Sequence, residues 1–120
     1  MSQFNTGLKS FYASEAIARY QAVKLTSGSG TYVSVAGSNE SNIGFADEAV
    51  ASGERLTVKL KNAGGTYKAK AAGAFSVGAS LYNMASGAVD DVSGGTQRYV
   101  ALEAASAAGD IVEVLPIEVY

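Results

Sequence analysis

The sequence predicts an all-β domain, a small β-barrel or β-sandwich of short strands. Three observations lead there. Apolar and polar residues alternate with period two, as in Leu56-Thr57-Val58-Lys59-Leu60-Lys61, so one face of the strand is buried and the other wet. Glycine-rich turn clusters recur at short intervals, at Ser27-Gly28-Ser29-Gly30, Gly37-Ser38-Asn39 and Ser93-Gly94-Gly95. Composition points the same way: with 48% apolar residues, much of them Ala, and no Trp, the core is built from small aliphatics and a few Tyr and Phe. Such a core gives less burial per residue than a leucine-rich one, so part of the stability is expected from partners or further copies of the chain.

Taken in order, residues 1–13 read as an extended N-terminal arm, with Phe4, Leu8, Phe11 and Tyr12 spaced among polar residues in no clear period. Residues 14–120 form a single β-domain, of a size that buries about two-thirds of its unfolded surface. Ser14 to Tyr20 is open to two readings, a short helix with an N-cap serine or an extended lead-in to the next strand. Strands follow at Ala22 to Thr26, Thr31 to Ala36, Leu56 to Lys61, Thr66 to Ala71, Ala79 to Asn83, Arg98 to Glu103 and Asp110 to Tyr120. In the last, Pro116 separates two apolar parities and predicts a bulge or kink.

Asn62-Ala63-Gly64-Gly65 supplies residues that tolerate the positive φ of a hairpin turn. The implied pairing sets Ala63 against Thr66, Lys61 against Lys68 and Lys59 against Lys70, with all four ammonium groups on one face. Three uses for these lysines stay open: edge protection, docking on an acidic protein surface, and phosphate binding. No arginine cluster or stacking aromatics accompany them, and the net charge is −2, so nucleic acid is not the expected partner.

A repeat runs through the chain. Gly53 and Gly109 lie 56 residues apart, and the same offset aligns Leu25 with Leu81, Val33 with Val89 and Val58 with Val114. ADEAVASGERLTV thus parallels LEAASAAGDIVEV, which predicts two similar β-meander halves in one closed or sandwiched sheet.

Little chemistry is available. Cys and His are both absent, which excludes disulfides, Cys/His zinc sites and imidazole bases. Asp90-Asp91 offers two acids where a calcium loop needs several spaced oxygen ligands, and reads as a solvated turn. The SGSG and SGG stretches lack the lysine and helix start of a phosphate loop. No catalytic residue, metal or cofactor is expected, and the chain reads as a non-enzyme. No leader or span of about 18 apolar residues is visible, so no membrane is expected and synthesis is placed in the cytoplasm.

GTYKAKAAGAFSVGASLYN followed by SGAV, with Gly65, Lys70, Ala71, Ala72, Gly78 and Tyr82 at the distinctive positions, resembles the small capsid cement (head decoration) proteins of tailed bacteriophages. YVALEAASAAGDIVEVLPIEV is similar to that family's closing segment, and IGFADEAVASGERLTV to its earlier counterpart. The resemblance covers roughly residues 20–120. It implies a β-domain on the outer capsid surface of a virion, made in the host cytoplasm, binding the major capsid protein as a homotrimer and bridging capsomers. Phe4, Leu8, Phe11 and Tyr12, with Lys59, Lys61, Lys68 and Lys70, are then the candidate capsid or subunit contacts. The alternative is a virion-displayed adhesion module, with some of Tyr12, Tyr20, Tyr32, Tyr67, Tyr82, Tyr99 and Tyr120 stacking on host glycans.

Overall fold

Strand-forming alternation is used twice over, in two successive copies of one five-stranded unit. The computed structural model describes residues 7–26, 28–61, 65–93 and 95–117. They form β1 (Leu8–Ala13), β2 (Ala22–Leu25), β3 (Tyr32–Val35), β4 (Gly44–Ala46) and β5 (Arg55–Leu60) in the first half. The second half holds β6 (Tyr67–Lys70), β7 (Ser80–Asn83), β8 (Val89–Asp90), β9 (Tyr99–Ala101) and β10 (Ile111–Pro116). Among the described residues there is no α-helix, and a 3-10 turn spans Ala85–Gly87.

The first half closes into a barrel of order β1-β3-β2-β4-β5, and the second is a curled sheet of order β6-β10-β9-β7-β8. Read from the other end, the second order is that of the closed barrel opened between β1 and β3. Equivalent bonds recur as well. Gly53 N donates to Ala13 O at 2.7 Å and Gly109 N to Ala71 O at 2.8 Å, and both glycines sit at positive φ, 86° and 95°. The bridge Ile17↔Val50 reappears as Phe75↔Ala105. Barrel closure by the parallel pairs Tyr12↔Tyr32 and Ala13↔Val33 shrinks in the second half to one parallel bridge, Ala71↔Val89. The two halves are therefore real, but each builds its own sheet, and β2 lies between β3 and β4 in an order that a meander lacks.

Two expectations need correction, the arm and the lysine hairpin. Residues 8–13 of the expected arm are a full barrel strand, paired antiparallel to β5 from Leu8↔Lys59 to Tyr12↔Arg55. Phe11 and Ala13 fill the barrel, with half-buried Lys9 on the same side of the strand, while Leu8, Ser10 and Tyr12 face out. Of the two readings left open for residues 14–20, the extended one holds, with Ile17 bridged to Val50. The lysine hairpin is absent, because β5 pairs with β1 and β4 while β6 pairs with β10. At the expected kink, β10 ends on Pro116, paired with Tyr99, and the chain bends at Ile117. Its ladder to β6 has ended at Val114↔Tyr67, so the missing proline N–H interrupts no pairing.

Two cores result. Phe11, Ala13, Ile17, Val23, Val33, Ala46, Leu56 and Val58 fill the barrel. The second core, around Tyr67, Leu81, Tyr99, Val112 and Val114, also takes Ala22, Ala36 and Phe45 from the first half. One continuous body of 40 × 27 × 23 Å follows.

Candidate functional site

Phe45 explains how the halves are joined. On β4 it points away from the barrel interior, and its ring lies 5.6 Å from that of Tyr67 and 5.5 Å from that of Tyr99. A buried polar cluster beside it fixes their orientation. The Tyr99 hydroxyl sits 2.8 Å from Asn42 Oδ1 and 2.9 Å from Asn83 Oδ1. Asn83 Nδ2 donates to Asn42 Oδ1 at 3.0 Å and to the Glu40 carbonyl at 2.7 Å. Because buried amides without partners are costly, these bonds make the angle between the halves specific.

Where the halves meet at the surface, they leave a cleft of about 300 Å³. Phe45 and Tyr67 form part of its lining, with Tyr20 beside them and Arg19, Lys59 and Lys68 contributing cations against Asp47 and Glu113. Lys59 Nζ donates to the Thr66 carbonyl at 2.7 Å and lies 4.5 Å from the Tyr67 ring centre. The Thr66 hydroxyl donates to Glu113, and the Tyr67 hydroxyl donates to the Leu60 carbonyl.

The expected site residues are dispersed. Lys61 is only 4% exposed, with its amine 5.8 Å from the Tyr99 ring. Lys68 makes a surface ion pair with Glu103 at 3.4 Å, and Lys70 is half-buried opposite Ile111. Only Lys59 and Lys68 reach the same cleft. Phe11 is a core residue at 4% exposure, whereas Leu8 and Tyr12 remain on the surface. Phe4 lies outside the described residues.

Two surfaces gather residues the sequence did not bring together, the first built on the expected Tyr12 with Tyr32 and Arg55. Tyr12 and Tyr32 stack at 5.5 Å where β1 meets β3, and Arg55 donates to the Tyr12 hydroxyl at 3.2 Å with its guanidinium 5.5 Å from the ring. That hydrogen bond, helped by the guanidinium charge, holds the Tyr12 hydroxyl below the ordinary tyrosine pKa. The other surface is the outer face of β9 and β10, where Val100, Leu102, Ile111, Leu115 and Ile117 surround Glu113, four of these five apolar residues being exposed. Its signal was present: β10 is apolar at Ile111, Val112, Val114 and Leu115, on both faces, as in strands covered on both sides.

Among the described residues no group of three or more acidic side chains is placed to hold a metal ion, and no helix is long and apolar enough to cross a membrane.

A family model described as phage cement protein matches residues 8–116, bounds that coincide with the start of β1 and the end of β10. Among solved structures, the chain is similar to the N base of head fiber gp8.5 of bacteriophage phi29. The two align at a TM-score of 0.79 and 19% identity, covering 91% of this chain and 92% of that one. At that identity the likeness shows a shared fold. No curated protein matches the chain.

Proposed function

The chain belongs to the phage cement protein family, and on that premise we propose that it decorates the outside of a phage head as a homotrimer, bridging neighbouring capsomers of the major capsid protein. Its action is adhesion without catalysis: it resists the separation of capsomers under the pressure of the packaged genome. The outer face of β9 and β10 is the observation that carries this reading. Val100, Leu102, Ile111, Leu115 and Ile117 put apolar side chains on one face around a single carboxylate, Glu113.

The two surfaces differ in the partner they suit. Contacts between permanent copies are more apolar than those between separately folded partners, which assigns the β9–β10 face to the trimer. Tyr and Arg dominate the anchors of non-obligate interfaces, which assigns Tyr12, Tyr32 and Arg55 to the capsid. A stable interface needs roughly 800 Å² per partner, and a 40 × 27 Å side of the body accommodates that area.

The test is to mix the purified chain with undecorated heads and follow sedimentation and the melting of the heads. Saturable uptake with a raised head melting temperature is expected. Absence of uptake, with binding to host-cell glycans through the same Tyr12–Tyr32 pair, would establish the adhesion reading instead.

A further inference from the structure

The strongest unassigned feature is the cleft between the halves, and the internal duplication shows what is unusual in it. At Tyr20 the backbone turns with φ of 72°, and the amide donates to the Ala46 carbonyl at 2.8 Å. The second half makes the same turn with Gly78, φ 85°, whose amide donates to Ala101 O at 2.7 Å. Glycine adopts this left-handed conformation without penalty, whereas a side chain there is strained. The fold thus accepts glycine at this turn, yet the first half keeps a tyrosine.

The surrounding turn holds that tyrosine in place. Ala18 N donates to Gln21 Oε1 at 2.7 Å, and Gln21 Nε2 donates across to the Ser86 carbonyl of the second half at 2.8 Å. Tyr20 in turn carries Arg19, whose guanidinium carbon lies 4.6 Å from the ring centre. Stacking holds the planar guanidinium while its N–H edge stays available, and no carboxylate among the described residues pairs with it. Lys59 adds charge from β5 and Lys68, shared with Glu103 at 3.4 Å, adds some from β6, so the lining carries three cations beside two acids in a chain of net charge −2. One of those acids, Glu113, already accepts the Thr66 hydroxyl.

We propose that the Arg19–Tyr20 cleft is a receptor for a carboxylate side chain on an acidic segment of the protein partner. This rests on the capsid-binding reading and names the chemistry it recognises there. The volume of about 300 Å³ is at the low end of small-molecule sites, suited to one side chain. Arg19 forms the fork to the carboxylate, Lys59 and Lys68 supply long-range attraction, and the Tyr20 and Tyr67 rings pack against the aliphatic stem.

Amide NMR of the full chain, titrated with acetyl-Gly-Glu-Gly-amide, with its Gln counterpart and with inorganic phosphate, tests the chemistry. Saturating shifts confined to residues around Arg19, Tyr20, Lys59 and Lys68 are expected with the Glu peptide alone. Equal shifts with the Gln peptide, a response to phosphate only, or none at all overturn the proposal. The second arm is uptake on undecorated heads. Arg19→Gln and Tyr20→Asn, the latter at ease in the left-handed region, should each weaken uptake at least tenfold, while Tyr20→Asn melts no lower than the parent. Wild-type uptake in both variants, or a clear fall in the melting temperature of Tyr20→Asn, removes the cleft and leaves the cement reading standing. Failure of the parent chain to bind heads removes the cement reading, and the peptide titration then decides the cleft by itself.

Discussion

Replacing Phe45 with Ala probes the joint between the two halves. Phe45 is 2% exposed and lies between the rings of Tyr67 and Tyr99. Truncating a buried Phe costs about 3–5 kcal/mol through lost transfer energy and the cavity left behind. For a chain of 120 residues, unfolding entropy near the midpoint is about 0.25 kcal/mol per kelvin, so the expected fall in Tm is about 12–20 °C. The duplication provides its own control. Phe45 pairs with Lys59 and Val100 with Leu115, so Val100 holds the equivalent place in the second half, on the outer face. Val100 is only half-buried, so Val100→Ala should cost about 1 kcal/mol in the monomer, well below the loss at Phe45. Calorimetry of both variants at a concentration that keeps the chain monomeric makes the comparison. A Phe45→Ala loss no larger than that of Val100→Ala would refute the account of how the halves are joined.

Deleting residues 8–13 removes β1 and with it Phe11 from the barrel core, so circular dichroism should show loss of cooperative unfolding, where a dispensable arm would leave it intact. Tyr99→Phe strips the hydroxyl from two buried asparagines, and chemical denaturation should record a loss of about 1–3 kcal/mol. Acid should destabilise the fold through Glu40, Glu103 and Asp110. Their carboxyls sit below the ordinary range through, respectively, a Lys24 hydrogen bond, the Glu113 amide and the Ser106 amide. Groups with depressed folded pKa stabilise fully above the unfolded carboxylate range, and that contribution fades as pH falls through and below it. Asp90 has the opposite sign: burial raises it, so ionising it on the way up through the acid range costs stability. Asp90→Asn should therefore gain on the parent as pH rises through that range, in melting curves taken along a pH series.

Much of the sheet was legible because strands buried on one face carry their period in the residues. β5 and β6 alternate cleanly, and the 56-residue offset marked the duplication. β1 escaped because it reverses the usual code: half-buried Lys9 lies on the core side of the strand while Leu8 and Tyr12 point outward, so no pattern survives in the letters. β4 is three residues long and buried throughout, too short to show any period. The lysine hairpin failed for a different reason. A glycine pair marks a turn but not the strands that the turn connects, and here the chain passes from one sheet to the next. The cleft and the Tyr12–Tyr32–Arg55 cluster join residues far apart in sequence, and only the topology brings them together.

Bridging is the central claim, and a cryo-EM map of heads saturated with the chain tests it most directly. The account predicts bodies of 40 × 27 × 23 Å on the outer surface, grouped in threes, each group touching at least two capsomers. Density confined within single capsomers, or lone bodies spanning none, would contradict it.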